Sequence, residues 1–197
     1  MKVLIILGHP DKKSFNHAIA ETCKTQLENS GHIVFFHDLY AEKFDPVLQF
    51  NDSELLANDE NIKTHHDDLI NSDGIIIIHP NWWGQPPAIV KGWIDRILLQ
   101  GIAYDFEQND AGEYILQGLL NSKIALVINT SNSLENAENG LNIEPLSLIW
   151  INQVFNLCGI EHVERRNFGE MKKCNQEKRL QWLAEVRTIV NFLFSAN

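Results

Sequence analysis

The sequence predicts an α/β chain built on a doubly wound parallel sheet of five strands. Three observations carry that prediction. Short apolar runs alternate five times with longer stretches of helical periodicity, the pattern of parallel strands joined by right-handed crossovers. Three of the runs, Val3–Leu7, Ile75–Ile78 and Ile124–Ile128, are continuous rather than alternating, as expected for strands covered on both faces. The chain has 197 residues, which at roughly 150 per domain predicts one domain spanning residues 1–197.

The elements follow in order. Val3–Leu7 is the first strand. Ser14–Asn29 is a helix with Ile19, Cys23 and Leu27 on one face, Ser14 as its N-cap and Gly31 near its C-terminus. Ile33–Phe36 is the second strand. Asp52–Ile70 is more polar and reads as one or two surface helices. Asp73-Gly74 leads into the third strand, Ile75–Ile78. Ala88–Leu99 is a helix carrying Ile89, Trp93 and Ile97, with Pro86-Pro87 at its start. Ile124–Ile128 is the fourth strand, Leu141–Leu157 a helix, Ile160–Val163 a weaker fifth strand, and Gln176–Phe194 the last helix. Five such strands suit the flavodoxin-like order 2-1-3-4-5. Two insertions, Tyr40–Asn51 and Gly101–Gly118 with Tyr104 and Phe106, exceed what this fold needs and read as interface material.

Composition narrows the function. Sixteen Lys+Arg against 26 Asp+Glu leave a net charge of -10, which argues against general binding to nucleic acid or an anionic membrane. Three cysteines without a CxxC build no disulfide framework. The opening apolar run is too short for a signal peptide, and none approaches the roughly 20 residues of a membrane span. These features predict a cytoplasmic protein with no membrane insertion. Five Trp are present, two of them adjacent.

In such a sheet a ligand binds beyond the carboxyl ends of the strands, where the winding reverses. Three loops lie there. The first, G-H-P-D-K-K-S-F-N, is neither a G-x-G-x-x-G fingerprint nor a P-loop. Ser14 caps a helix whose first N–H groups could bind phosphate, with Lys12 and Lys13 nearby, or it is a cap and nothing more. The second, H-P-N-W-W-G-Q-P-P, sets Trp82 and Trp83 between prolines beside Gly84. That makes a stiff apolar wall for a planar ring, or a cover for the sheet edge. The third, I-N-T-S-N-S, offers small polar groups to a ligand rim or forms an ordinary turn.

Other candidates carry less. His65-His66-Asp67-Asp68 looks like a ligand set, but adjacent helical residues face apart, so no metal site is expected. His9 and His79 end adjacent strands and read as site lining. There is no G-x-S-x-G of a serine hydrolase. Cys158 reads as core. Arg165-Arg166 is either a solvated pair or a phosphate contact.

The segments LGHPDKKSFNHAIAE, HDLYAEKFDPVL, HPNWWGQPPAIVKGWIDRILLQGIAYDF and FNLCGIEHVERRNF span most of Val3 to Phe168. Through them the chain resembles the flavodoxin-like NAD(P)H oxidoreductases, which include mammalian NAD(P)H:quinone dehydrogenases and bacterial general-stress and drug-modulator relatives. The resemblance implies a homodimeric flavoenzyme holding FAD, with FMN as the alternative. It implies flavin phosphate and ribityl contacts at Ser14, Phe15 and Asn16 with His9 nearby. Isoalloxazine contacts would fall at Pro80, Asn81, Trp82, Trp83 and Gly84, and contacts to the ring's pyrimidine end at Thr130, Ser131 and Asn132. Two departures stand out. Relatives often carry T-T-G-G where this chain has Asn129-Thr130-Ser131-Asn132. The Tyr and His that assist hydride transfer in the mammalian enzymes have no counterpart between Thr130 and Glu161.

The resulting expectation is hydride transfer from NAD(P)H through bound flavin to a quinone or other aromatic acceptor, with no side-chain base required. A regulatory flavoprotein subunit of a transporter and a flavodoxin-type electron carrier are the alternatives. The acidic charge suits the carrier, and the missing phosphate loop of Thr, Ser and Gly counts against it.

Overall fold

A computed structural model of the chain describes residues 1–48, 59–120, 123–133 and 144–195. Strands β1 (Lys2–Leu7), β2 (Ile33–Asp38), β3 (Gly74–Pro80), β6 (Ile124–Thr130) and β7 (His162–Phe168) form one parallel sheet in the order β2-β1-β3-β6-β7. Numbered within the sheet, this is the expected 2-1-3-4-5. Every residue of β3 is buried, as is β1 after Lys2, because helices cover both faces. Helices α1 (Phe15–Asn29) and α5 (Gln176–Leu193) close one face over Ile5, Ile76, Leu126 and Trp182. On the other face α2 (Glu60–Asn71), α3 (Ala88–Ile97) and α4 pack over Leu4, Ile77, Val127 and Trp150. Here α4 denotes one turn, Pro145–Ser147, continuing into a π-helical segment, Leu148–Phe155. Residues five apart share a face of a π-helix. Trp150 and Phe155 accordingly stack at 5.5 Å inside the core.

Several boundaries differ from those the sequence predicts. The fifth strand is not Ile160–Val163 but His162–Phe168. Ile160 is a buried core residue before the strand, and the strand itself runs through Glu164, Arg165, Arg166 and Asn167. A polar edge strand has no apolar run to betray it. The insertion at Gly101–Gly118 contains an antiparallel hairpin, β4 (Tyr104–Gln108) with β5 (Tyr114–Gly118), which the sequence does not announce. Its Phe106, Tyr114, Ile115 and Leu116 are exposed. The region Asp52–Ile70 contains one described helix, capped by Asp59. Residues 52–58, the last part of the Tyr40–Asn51 insertion and the first three residues of the Leu141–Leu157 helix lie outside the described residues. Among those described, no helix is long and apolar enough to cross a membrane.

The segment after β2 is pinned to α3 by a close approach. A Cβ on Gly92 would lie 2.3–2.4 Å from the side chain and backbone of Pro46. Backbone cannot yield as a side-chain tip can. Gly92→Ala should therefore destabilise the protein by about 1–3 kcal/mol in urea unfolding, the range for forced overpacking. A change within experimental error would mean that the segment is free to lift away.

Candidate functional site

The carboxyl ends of β1, β3, β6 and β7 carry three loops that meet in one crevice. The first leaves β1 at Gly8, whose N–H donates to Ile78 O at 2.9 Å. Asp11 shapes the turn: its carbonyl accepts from Ser14 N and its carboxylate from Lys13 N, both at 2.9 Å, while Asp11 N donates to His9 Nδ1. Ser14 is the N-cap of α1, and its Oγ accepts from His17 N at 3.3 Å. The first N–H groups of such a helix have no partner within it and favour an anion. Beside them a cavity of about 450 Å³ opens between Lys12, Lys13, His17, Phe36 and Asp38.

The second loop is a two-residue hairpin turn. Trp82 and Gln85 exchange backbone hydrogen bonds at 3.1 Å, and the central residues Trp83 and Gly84 have φ of 60° and 72°. This is a type I′ turn, with both central residues left-handed. Glycine adopts that conformation without cost, whereas for Trp83 it costs on the order of 1–3 kcal/mol. Asn81 holds the turn closed: its N–H donates to Thr130 O at 2.7 Å and its Oδ1 accepts from Gly84 N at 2.8 Å. Trp82 is 43% exposed and Trp83 100% exposed. Trp83 therefore covers no sheet edge. His9 sits 6.5 Å from Trp82, ring centre to ring centre, with its pKa lowered chiefly by burial.

The third loop follows β6. Thr130 Oγ1 accepts from Asn16 Nδ2 at 2.9 Å, Ser131 Oγ from Asn167 Nδ2 at 3.3 Å, and Asn132 Oδ1 from Lys172 N. Asn16 is 2% exposed and its Oδ1 has no hydrogen-bond partner. A buried, unpaired acceptor costs roughly 1–3 kcal/mol. A sugar or polyol hydroxyl at the mouth of this crevice would satisfy it, so the residues present fit a phosphorylated, hydroxylated ring cofactor such as a flavin nucleotide.

The expected site residues thus divide. His9, Ser14, Asn16, Asn81, Trp82, Trp83, Gly84, Thr130, Ser131 and Asn132 lie on or beside the three loops, with Asn16, Thr130 and Ser131 buried among them. Pro80 is buried at the base of the second loop. Phe15 points the other way, packed against Phe168 and Trp182 at 6.2 and 5.8 Å, so only its backbone faces the helix end. His79 does not line the site either. It is fully buried, and Nδ1–H donates to Pro80 O at 2.8 Å while Nε2 accepts from Trp150 Nε1 at 2.9 Å. Burial holds its pKa down to about 4. Arg165 forks onto Glu144, and Arg166 pairs with Glu185, so neither is simply solvated. Cys158 is buried, and desolvation raises its thiol to about 11.

A second polar cluster lies at the end of β2. His37 Nδ1 meets Glu42 at 3.0 Å and His37 Nε2 meets Asp68 at 2.9 Å, while His65 Nε2 meets the other oxygen of Glu42 at 3.1 Å. The sequence pointed to His65 and Asp68 but not to His37 and Glu42, which are 23–31 residues away along the chain. Ligand atoms of His37, Glu42 and His65 lie within 4.8 Å of one another, a spacing that could suit a metal. The surroundings oppose one. Trp93 Nε1–H donates to His65 Nδ1 at 3.1 Å, which keeps the imidazole proton on Nε2, where a metal would have to bind. The cluster is a proton-bearing clasp instead. Burial would lower the His37 pKa, but Glu42 and then Asp68 outweigh it and raise it. Burial likewise opposes ionisation of Glu42, yet His37 and His65 hold its carboxyl at about 2.

The family model described as flavodoxin-like fold matches residues 1–189. The chain belongs to that family. It is 37% identical over 185 residues to an uncharacterised NAD(P)H oxidoreductase of Haemophilus influenzae, covering 91% of this chain and 89% of the relative. It is 31% identical over 184 residues to human ribosyldihydronicotinamide dehydrogenase [quinone], covering 81% and 78%. The crystal structure of Smu.1420 from Streptococcus mutans superimposes with a TM-score of 0.84 at 33% identity, over 98% of this chain and all of that one.

The clasp has a definite pH signature. A raised His37 pKa gives stability that is full below the ordinary 6.5 and is lost as pH rises through the raised value. A lowered Glu42 pKa gives stability that is full above the ordinary 4.5 and is lost as pH falls toward about 2. His37→Gln should therefore cost more stability at about pH 6 than at about pH 9. An equal cost at both would show that His37 is uncharged in the folded protein.

Proposed function

We propose that this chain is a flavin-dependent NAD(P)H oxidoreductase that passes reducing equivalents to a quinone or other aromatic acceptor. The observation that carries the reading is Trp83, fully exposed and held left-handed at the crevice rim, beside a capped helix N-terminus and the unpaired Asn16 Oδ1. The names of the Haemophilus and human relatives support the nicotinamide and quinone parts. The cofactor we favour is FAD, with FMN as the alternative: the cavity beside Lys12 and Lys13 leaves room for more than a single phosphate.

When bound, the flavin supplies the hydride chemistry. The chain supplies position. The N-terminus of α1 would hold the phosphate, and Asn16 would accept from a hydroxyl of the sugar chain. Trp82 and Trp83 would flank the ring and keep water from it, and the loop Thr130–Asn132 would offer polar groups to its edge. No side chain need act as a base, which agrees with the absence of Tyr and His between Thr130 and Glu161. We further propose a single domain over residues 1–197, a homodimer through the β4–β5 hairpin, and a cytoplasmic setting.

Two measurements test this. Heating the purified protein and weighing the released small molecule should yield FAD or FMN. Absence of both, with no uptake on titration, overturns the proposal. Trp83→Ala should weaken flavin binding about tenfold, the equivalent of 1.4 kcal/mol, in a fluorescence-quenching titration. An affinity within twofold of wild type would remove Trp83 from the site.

A further inference from the structure

Behind the Trp82–Trp83 turn, on the sheet face covered by α4, a buried polar chain crosses three adjacent strands. It begins at Glu144, whose two carboxylate oxygens take the Arg165 guanidinium as a fork, with Arg165 Nη2 on Oε1 at 2.6 Å and Nη1 on Oε2. Nη1 also donates to Ser147 Oγ at 3.2 Å, and Nε donates to Asn129 Oδ1 at 2.8 Å. Asn129 Nδ2 then donates to His79 O at 3.2 Å, lying over the imidazole ring at 3.0 and 3.4 Å from its two nitrogens. His79 and Asn129 are paired in register between β3 and β6, and Arg165 stands on the neighbouring β7.

The direction of each bond is determined. Pro80 O can only accept, so His79 Nδ1 carries the proton. Trp150 Nε1 can only donate, so His79 Nε2 is the acceptor. Arg165 can only donate, so Asn129 presents Oδ1 to Arg165 and Nδ2 to the backbone carbonyl of His79, since the one lone pair of Nε2 is already taken by Trp150. One arrangement satisfies the chain from the Glu144 carboxylate to the His79 carbonyl, which belongs to the peptide bond of Pro80, the first residue of the aromatic wall. The same device reaches the far end of the wall, because Pro145, adjacent to Glu144, packs 3.5 Å from the position of a Cβ on Gly84.

A well-packed apolar group of equal volume often stabilises a core as well as a buried ion pair does. The ionic chain is therefore better explained by geometry than by stability. We propose that Arg165 is a positioning residue: acting through Asn129 and His79, it sets the height and tilt of the Pro80–Gly84 wall and so the affinity for a planar aromatic ring. This rests on the crevice being the flavin site.

The test is titration of the apoprotein with FMN and with FAD, read by fluorescence quenching, together with thermal unfolding and the visible circular dichroism of bound flavin. Arg165→Lys keeps a cation opposite Glu144 but gathers its donors on one nitrogen, losing the planar fork in which Nε serves Asn129 while Nη1 and Nη2 serve Glu144. It should unfold near the wild-type temperature yet bind flavin several-fold more weakly. Arg165→Met combined with Glu144→Leu removes both charges. It should keep the fold, bind flavin about tenfold more weakly, and change the sign or intensity of the flavin dichroism. Should either folded variant bind flavin within twofold of wild type with the same dichroism, the chain is merely structural and the positioning role is wrong. Should the wild type bind neither flavin, the functional reading itself fails, and the positioning role falls with it.

Discussion

The structure depends on one constraint: the central strand β3 and its neighbour β1 pair in parallel and are buried on both faces. Strands in that position can carry no functional side chain along their length, because each residue must be apolar and packed. Polar chemistry is driven to their carboxyl ends, where the backbone leaves the sheet. The first polar side chain of β3 is His79, one residue from the strand's end. On the neighbouring β6, Asn129 stands opposite it and Thr130 is the last residue. The crevice follows from this geometry, as does the convergence of three loops on it.

The same constraint explains what was legible in the sequence. Continuous runs such as Ile75–Ile78 declare themselves because burial on both faces permits nothing else. Ser14 declares itself as a cap because its hydroxyl has one obvious use before an amphipathic stretch. The strand β7 is hidden, since at a sheet edge its charged residues find partners such as Glu144 and Glu185 that no local pattern encodes. The hairpin β4–β5 is hidden for a related reason. Its exposed residues do not alternate cleanly between a core and water. Of the site, the loops were legible and the side-chain directions were not. Phe15 and His79 stand beside crevice residues in sequence but turn into opposite cores, and only the packing of Phe168 and Trp150 against them decides that.

Tryptophan indole groups act here as proton bookkeepers as well as packing residues. Trp150 fixes the tautomer of His79, and Trp93 fixes that of His65. Each is a donor that cannot accept, so each leaves its histidine one choice. The consequences differ with the remaining partner. His79 points its proton at a carbonyl of the aromatic wall, whereas His65 points its proton at Glu42 and so closes a ligand-like cluster to metal. A spacing test alone would treat the second cluster as a metal site; the hydrogen-bond directions decide against it.

Trp83 poses the opposite question, since it gains nothing from the fold that holds it. Its indole is fully exposed, and its backbone sits in a conformation that costs on the order of 1–3 kcal/mol for a side chain of this kind. The turn persists because Asn81, Gly84 and Pro145 together leave the loop no easier path. Covering an indole removes about 200 Å² from water, which at roughly 25 cal/mol per Å² is about 5 kcal/mol before the cost of association is subtracted. That exceeds the backbone strain. A planar or apolar group lying against the ring would offset the strain further. The turn is held from behind, through Asn81 to Thr130 and through Pro80 to His79, in the conformation that would present the indole to a planar ring.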